Sequence, residues 1–100
     1  MIKHIVMWRL KDFAEGASRE ENAKKLKETL EGLKDKISEI REIEVGINFN
    51  PSDAAPDVVL YSTFDSAEDL NAYQKHPEHV KVAEFVGKIR SDRNVVDYEV

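Results

Sequence analysis

Ile2-Lys3-His4-Ile5-Val6-Met7-Trp8-Arg9-Leu10 predicts a strand whose two faces are both apolar. His4, Val6, Trp8 and Leu10 share one face, and Ile5 and Met7 stand on the other. Asp57 to Phe64 reads the same way, with Val58, Leu60 and Phe64 set against Val59 and Tyr61. A strand that is apolar on both sides has to be covered on both sides, so these two segments belong at the centre of a sheet between two layers.

Moving outward, Lys11 to Ala17 reads as a loop containing Gly16, and Ser18-Arg19-Glu20-Glu21 as a capping box that opens a helix. That helix carries Ala23, Leu26, Leu30, Leu33, Ile37 and Ile40 on one stripe at steps of three and four. The pairs Glu20/Lys24, Glu21/Lys25 and Lys27/Glu31 mark its solvated faces, and Gly32 weakens it slightly. The period changes to two at Ile43, Val45, Ile47 and Phe49, opposite Glu42, Glu44 and Asn48, which predicts a second strand with one wet side. Asn50 to Pro56 is rich in turn residues. After the Asp57–Phe64 strand, Ser66 with Asp69 three residues on signals another helix start. Leu70 and Tyr73 face inward until Pro77 interrupts, and helix resumes with Pro77 at its first position. Val80, Ala83, Val86 and Ile89 form the expected buried stripe, with Val82 and Phe85 beside it. Val95 to Val100 closes the chain as a short strand.

This order, β-α-β-β-α-β, is the split βαβ pattern of an α+β, ferredoxin-like fold: a four-stranded antiparallel sheet with both helices on one face. Two helices cover only one side of the two central strands. Leaving the other in water costs several kcal/mol at roughly 25 cal/mol per Å², comparable to the stability of a whole domain. A second copy is the simplest cover, so a homodimer forming a dimeric α/β barrel is expected.

One hundred residues, 41% hydrophobic and 35% charged, are expected to make one domain over 1–100. There is no cysteine, hence no disulfide framework or thiolate metal site, and a reducing cytoplasm is the expected location. Lys3, His4 and Arg9 interrupt the first ten residues, so no signal-peptide core is read there. A net charge of −5 argues against nucleic acid and anionic membrane as partners.

Tyr73-Gln74-Lys75-His76-Pro77-Glu78-His79-Val80, taken with the opening Met1-Ile2-Lys3-His4-Ile5-Val6 and Asp97-Tyr98 near the end, resembles the stress-responsive dimeric α/β-barrel (Dabb) family over essentially the whole chain. The resemblance implies the fold derived above far more firmly than an activity. Some plant members resemble chaperone-like stress proteins; another member closes a polyketide ring by aldol condensation without a cofactor. By resemblance to that cyclase, His79 and Tyr73 are the catalytic candidates and His4 a pocket residue; Val6 and Trp8, on the face of His4, and Val80 are read with it as substrate-binding. Two differences bear on the ligand. Leu26, Leu30 and Leu33 stand where the cyclase has aromatic residues, and Trp8 stands where it has an aliphatic one.

Each residue also has a plainer reading. A neutral imidazole at His79 can take a carbon-bound proton, with Tyr73 hydrogen-bonding the oxygen on which charge builds. Alternatively the two form a polar pair at a helix start. Six positions apart on a straight helix they diverge by about 120°, and only the break at Pro77 lets them converge. His4 reads as a buried, hydrogen-bonded histidine or as a pocket wall. His76, Glu78 and His79 do not have an established metal-ligand spacing, so no metal and no cofactor are expected. Trp8 and Tyr61 read first as core; Gly87 permits close packing or leaves room for a ligand. Two functions follow: a small apolar ligand bound between helices and sheet, with cyclase- or lyase-like acid–base chemistry, or a protective dimer with no substrate.

Overall fold

The computed structural model describes residues 1–100. Its strands are β1 (Ile2–Leu10), β2 (Phe13–Ala14), β3 (Ala17–Ser18), β4 (Glu42–Ile47), β5 (Val58–Phe64) and β6 (Arg90–Glu99). Its helices are α1 (Arg19–Glu31), followed by a 3-10 turn over Gly32–Asp35, then α2 (Ala67–Lys75) and α3 (Pro77–Ile89). The main sheet runs β4-β5-β1-β6, antiparallel throughout. The two strands that are apolar on both faces are therefore the central pair. The fold is ferredoxin-like, with the helices on one side.

The helix-covered face holds the core. His4, Val6, Trp8 and Leu10 of β1 lie beside Val58, Leu60, Ser62 and Phe64 of β5, all buried beneath Leu26, Leu30, Leu33 and the inner residues of α2 and α3. The opposite face presents Ile5, Met7, Val59, Tyr61, Val96 and Tyr98, of which Met7, Val59, Val96 and Tyr98 remain 36–50% exposed. No helix is long and apolar enough to cross a membrane.

Local chemistry explains the boundaries. The Ser18–Glu21 capping box forms in full at the start of α1, and Ser66 accepts from the Asp69 backbone at the start of α2. The Lys11–Ala17 segment contains a small hairpin, its turn made by Glu15 and Gly16 with φ of 52° and 74°. The first helix is shorter than expected. It ends at Glu31, and Ile37 and Ile40 are buried from the chain beyond it, because the Leu33 carbonyl takes the Lys36 and Ile37 N–H groups at 3.0 and 2.9 Å and tightens the last turn. Lys27 and Glu31 do more than decorate a wet face. Lys27 Nζ donates to the Val45 carbonyl at 2.6 Å, and Glu31 accepts from the Val45 N–H at 3.0 Å, so the pair closes the free edge of β4.

Two strand limits differ from expectation. Phe49 lies outside β4 and is 98% exposed, because Asn48, Asn50 and Ser52 bond backbone N–H groups two residues ahead and replace the ladder with turns. The last strand starts five residues before Val95. It leaves α3 directly and pairs along all of β1, although every one of its residues is exposed. Backbone bonding to β1, rather than burial, makes it a strand.

Candidate functional site

The break between α2 and α3 builds the centre of the site. His76 has an extended backbone (ψ 135°) that turns the chain, and its Nδ1 accepts the Glu78 N–H at 3.1 Å, capping α3 with Pro77 in the first turn. The turn brings together residues that a straight helix would separate: the rings of Tyr73 and His79 stand 4.5 Å apart. Tyr73 also packs on Phe64 at 4.9 Å and edge-on to His4 at 6.2 Å, so three predicted site residues, from β1, α2 and α3, converge.

His79 Nδ1 lies 3.1 Å from the Gln74 carbonyl, one of the acceptors left over at the end of α2. A carbonyl only accepts, so Nδ1 carries the proton and Nε2 holds the lone pair. Burial pushes the His79 pKa down, aided by the charges of His4, Arg93 and His76, against the opposing pull of the Gln74 carbonyl. The ring is therefore neutral at cellular pH, with its basic nitrogen available. Tyr73 is fully buried, its hydroxyl has no hydrogen-bond partner in the protein, and burial drives its pKa far up, so it stays a phenol.

His4 is buried and is hydrogen-bonded through Nδ1 to Asp97, its register partner on β6. On its other side Ser62 Oγ donates to the His4 carbonyl at 3.1 Å. The carboxylate fixes the ring's orientation as a second-sphere partner does for a working histidine. Asp97 is thus a site residue that hydropathy did not reveal, although it belongs to the sequence pair that carries the family resemblance.

Beside these rings lies a cavity of about 310 Å³ between sheet and helices. Its buried wall is His4, Val6, Trp8, Leu30 and Leu60, with Val82 and Val86 from α3. His79, Ala83, Gly87, Arg90 and Arg93 complete it toward solvent. The Trp8 indole N–H is buried without a protein partner. Of the predicted residues, His4, Val6, Trp8 and His79 line this cavity. Tyr73 lies against His79 but is not among the lining residues. Val80 does not line it and is 42% exposed; Val82 takes the inward position, because the turn at His76 rotates α3 so that Val82, Val86 and Ile89 form its buried stripe. Arg90 and Arg93 were not anticipated, since they fall in a stretch with no apolar alternation. No group of three or more His, Asp or Glu side chains is placed to hold a metal ion.

The family model described as Stress responsive A/B Barrel Domain matches residues 2–100. Among solved structures, a dimeric protein of unknown function and ferredoxin-like fold from Bacteroides fragilis is 39% identical, with TM-score 0.84, over 99% of this chain and 95% of that one. A hydroxynitrile lyase from Passiflora edulis shares the fold at TM-score 0.80 and 22% identity, over 99% of this chain and 92% of that one. The stress-response A/B barrel domain-containing protein DABB1 of Arabidopsis thaliana is 50% identical over 40 residues, which are 40% of this chain and 19% of that protein. The match thus spans about a fifth of the length of that relative.

Proposed function

The chain belongs to the stress-responsive A/B barrel domain family, and from that premise we propose that it is a homodimer whose helix–sheet cavity binds a small, largely apolar ligand and transfers a proton on it without a cofactor. The observation that carries this reading is the state of His79: its Nδ1–H is committed to Gln74, and its neutral ring borders a cavity whose inner wall is largely apolar. A neutral imidazole with a free Nε2 is suited to take a proton from carbon next to a carbonyl. The C–H electron pair passes into an enolate with its charge on the carbonyl oxygen; the imidazolium then returns the proton to carbon, or to the second carbonyl oxygen when the enolate carbon bonds that carbonyl's carbon, or to the oxygen released when the enolate breaks a β C–O bond, so the cycle closes without redox change. Enolisation, ring closure and lyase-type cleavage all share this step.

Tyr73 supplies a permanently protonated phenol beside the base. Its hydroxyl is buried without a protein partner, and its ring packs against that of His79. His4, held by Asp97, contributes the third polar group. The dimer follows from the open face of β1 and β5 and from the fold relative described as dimeric. A purely protective role leaves the cavity, with the unpaired Trp8 N–H in its wall, unaccounted for.

The test is hydrogen–deuterium exchange at the carbon next to the carbonyl of small aryl ketones in heavy water, followed by NMR. Wild-type protein should accelerate exchange and His79→Gln should not, with both remaining dimeric. Full exchange activity in His79→Gln would remove the assignment of His79 as base.

A further inference from the structure

Two charges at the cavity's rim remain unused by this chemistry. Of the five arginines, Arg9, Arg19 and Arg41 are engaged by backbone carbonyls or carboxylates. Arg90 and Arg93 make no ion pair and no side-chain hydrogen bond, yet both line the cavity. None of its 12 lining residues is acidic, although the chain as a whole carries a net charge of −5. This is a local positive rim on an acidic protein.

The backbone is built to put both there. Along a regular strand, positions three apart face opposite sides of the sheet. Here Leu10 pairs with Arg90 and Arg9 with Asp92, so Ser91 is the extra residue of a β-bulge. The bulge restores Arg90 to the side of Arg93, whose partner Trp8 lies on the same covered face as Leu10. Both guanidinium groups therefore stand on the cavity side of β6, away from the open sheet face. The Arg93 charge also acts on His79, which places rim and base within electrostatic reach.

We propose that the ligand is an apolar organic acid whose carboxylate is received by Arg90 and Arg93 and whose body lies against Val6, Trp8 and Leu60. Guanidinium groups match carboxylates in shape and charge, and a carboxylate held at the rim fixes which carbon faces the base. A cavity of about 310 Å³ equals roughly ten water volumes, room for an acid of about a dozen non-hydrogen atoms. This inference rests on the ligand-binding reading of the cavity and adds the chemical class.

The test compares 4-phenylbutanoate with its neutral analogue 4-phenylbutanamide, titrated into the isotope-labelled dimer by NMR at low salt. The acid should bind about tenfold more tightly or better, with shifts at the cavity residues. The preference should shrink with added salt and vanish in the Arg90→Gln/Arg93→Gln double variant. Equal affinity for acid and amide overturns the acid proposal and leaves the cavity reading standing. A preference that survives in the double variant overturns the role of the arginines. Binding of neither compound at the cavity overturns both readings.

Discussion

Replacing Tyr73 by Phe tests the site from its most buried atom. The ring contacts to Phe64, His79 and His4 are retained, and only the hydroxyl is lost. That hydroxyl is fully buried and has no protein partner. A polar group in this state costs about 1–3 kcal/mol relative to a satisfied one. Removing it creates no strain, because the ring keeps its place, and the space it leaves is smaller than a methyl group. The variant should therefore be more stable by about 1–2 kcal/mol, a rise of roughly 4–8 °C in Tm for each kcal/mol in a domain of this size. Urea and thermal unfolding at matched protein concentration measure the gain, since a dimer's apparent stability depends on concentration. An unchanged or lowered stability would mean that the hydroxyl is satisfied in the folded protein.

Four further outcomes follow from the same structure. Val59→Glu places a charge on the open sheet face in both copies, and the unpaired carboxylates should weaken the dimer about 1000-fold or more, read by sedimentation equilibrium; an unchanged dimer would place the interface elsewhere. Gly87→Ala should stabilise α3 by about 0.5–1 kcal/mol, since a Cβ there meets no neighbouring atom within 4 Å. Gly87→Leu should instead fill the cavity that Gly87 borders and abolish ligand binding in a folded protein. His79 also leaves a pH signature: its folded pKa lies below the ordinary 6.5, so the unfolded chain takes up the proton first as pH falls. Its contribution is intact above 6.5 and is lost as pH drops toward the folded value. The difference between wild type and His79→Gln, measured by urea unfolding, should be flat above 6.5 and change below it.

Signals that depend on local chemistry were legible in the sequence. The caps at Ser18 and Ser66, the helix restart at Pro77 and the two central strands all read correctly, because each rests on a backbone rule or on side-chain period. The β6 segment before Val95 did not, since an exposed edge strand needs only backbone pairing and shows no alternation. Phe49 continued a period of two on paper, but the asparagine and serine turns around it had already taken the backbone. In the site, the meeting of Tyr73 and His79 was foreseeable only as a consequence of the break at Pro77. Val80 was placed inward because α3 carries apolar residues on more than one stripe, and the turn at His76 decides which one meets the sheet. Arg90 and Arg93 were invisible for a different reason. Their common face depends on a bulge, a register fact that one strand's sequence does not contain.

The most direct test of the account is a crystal structure of the dimer soaked with small apolar carbonyl compounds and phenols. A ligand is expected in the cavity bounded by Val6, Trp8 and Leu60, with an oxygen or an acidic carbon within about 3–3.5 Å of His79 Nε2. A well-formed dimer whose interior has closed, with Trp8 packed over His79 and no ligand between them, would contradict it and leave the protective role as the better reading.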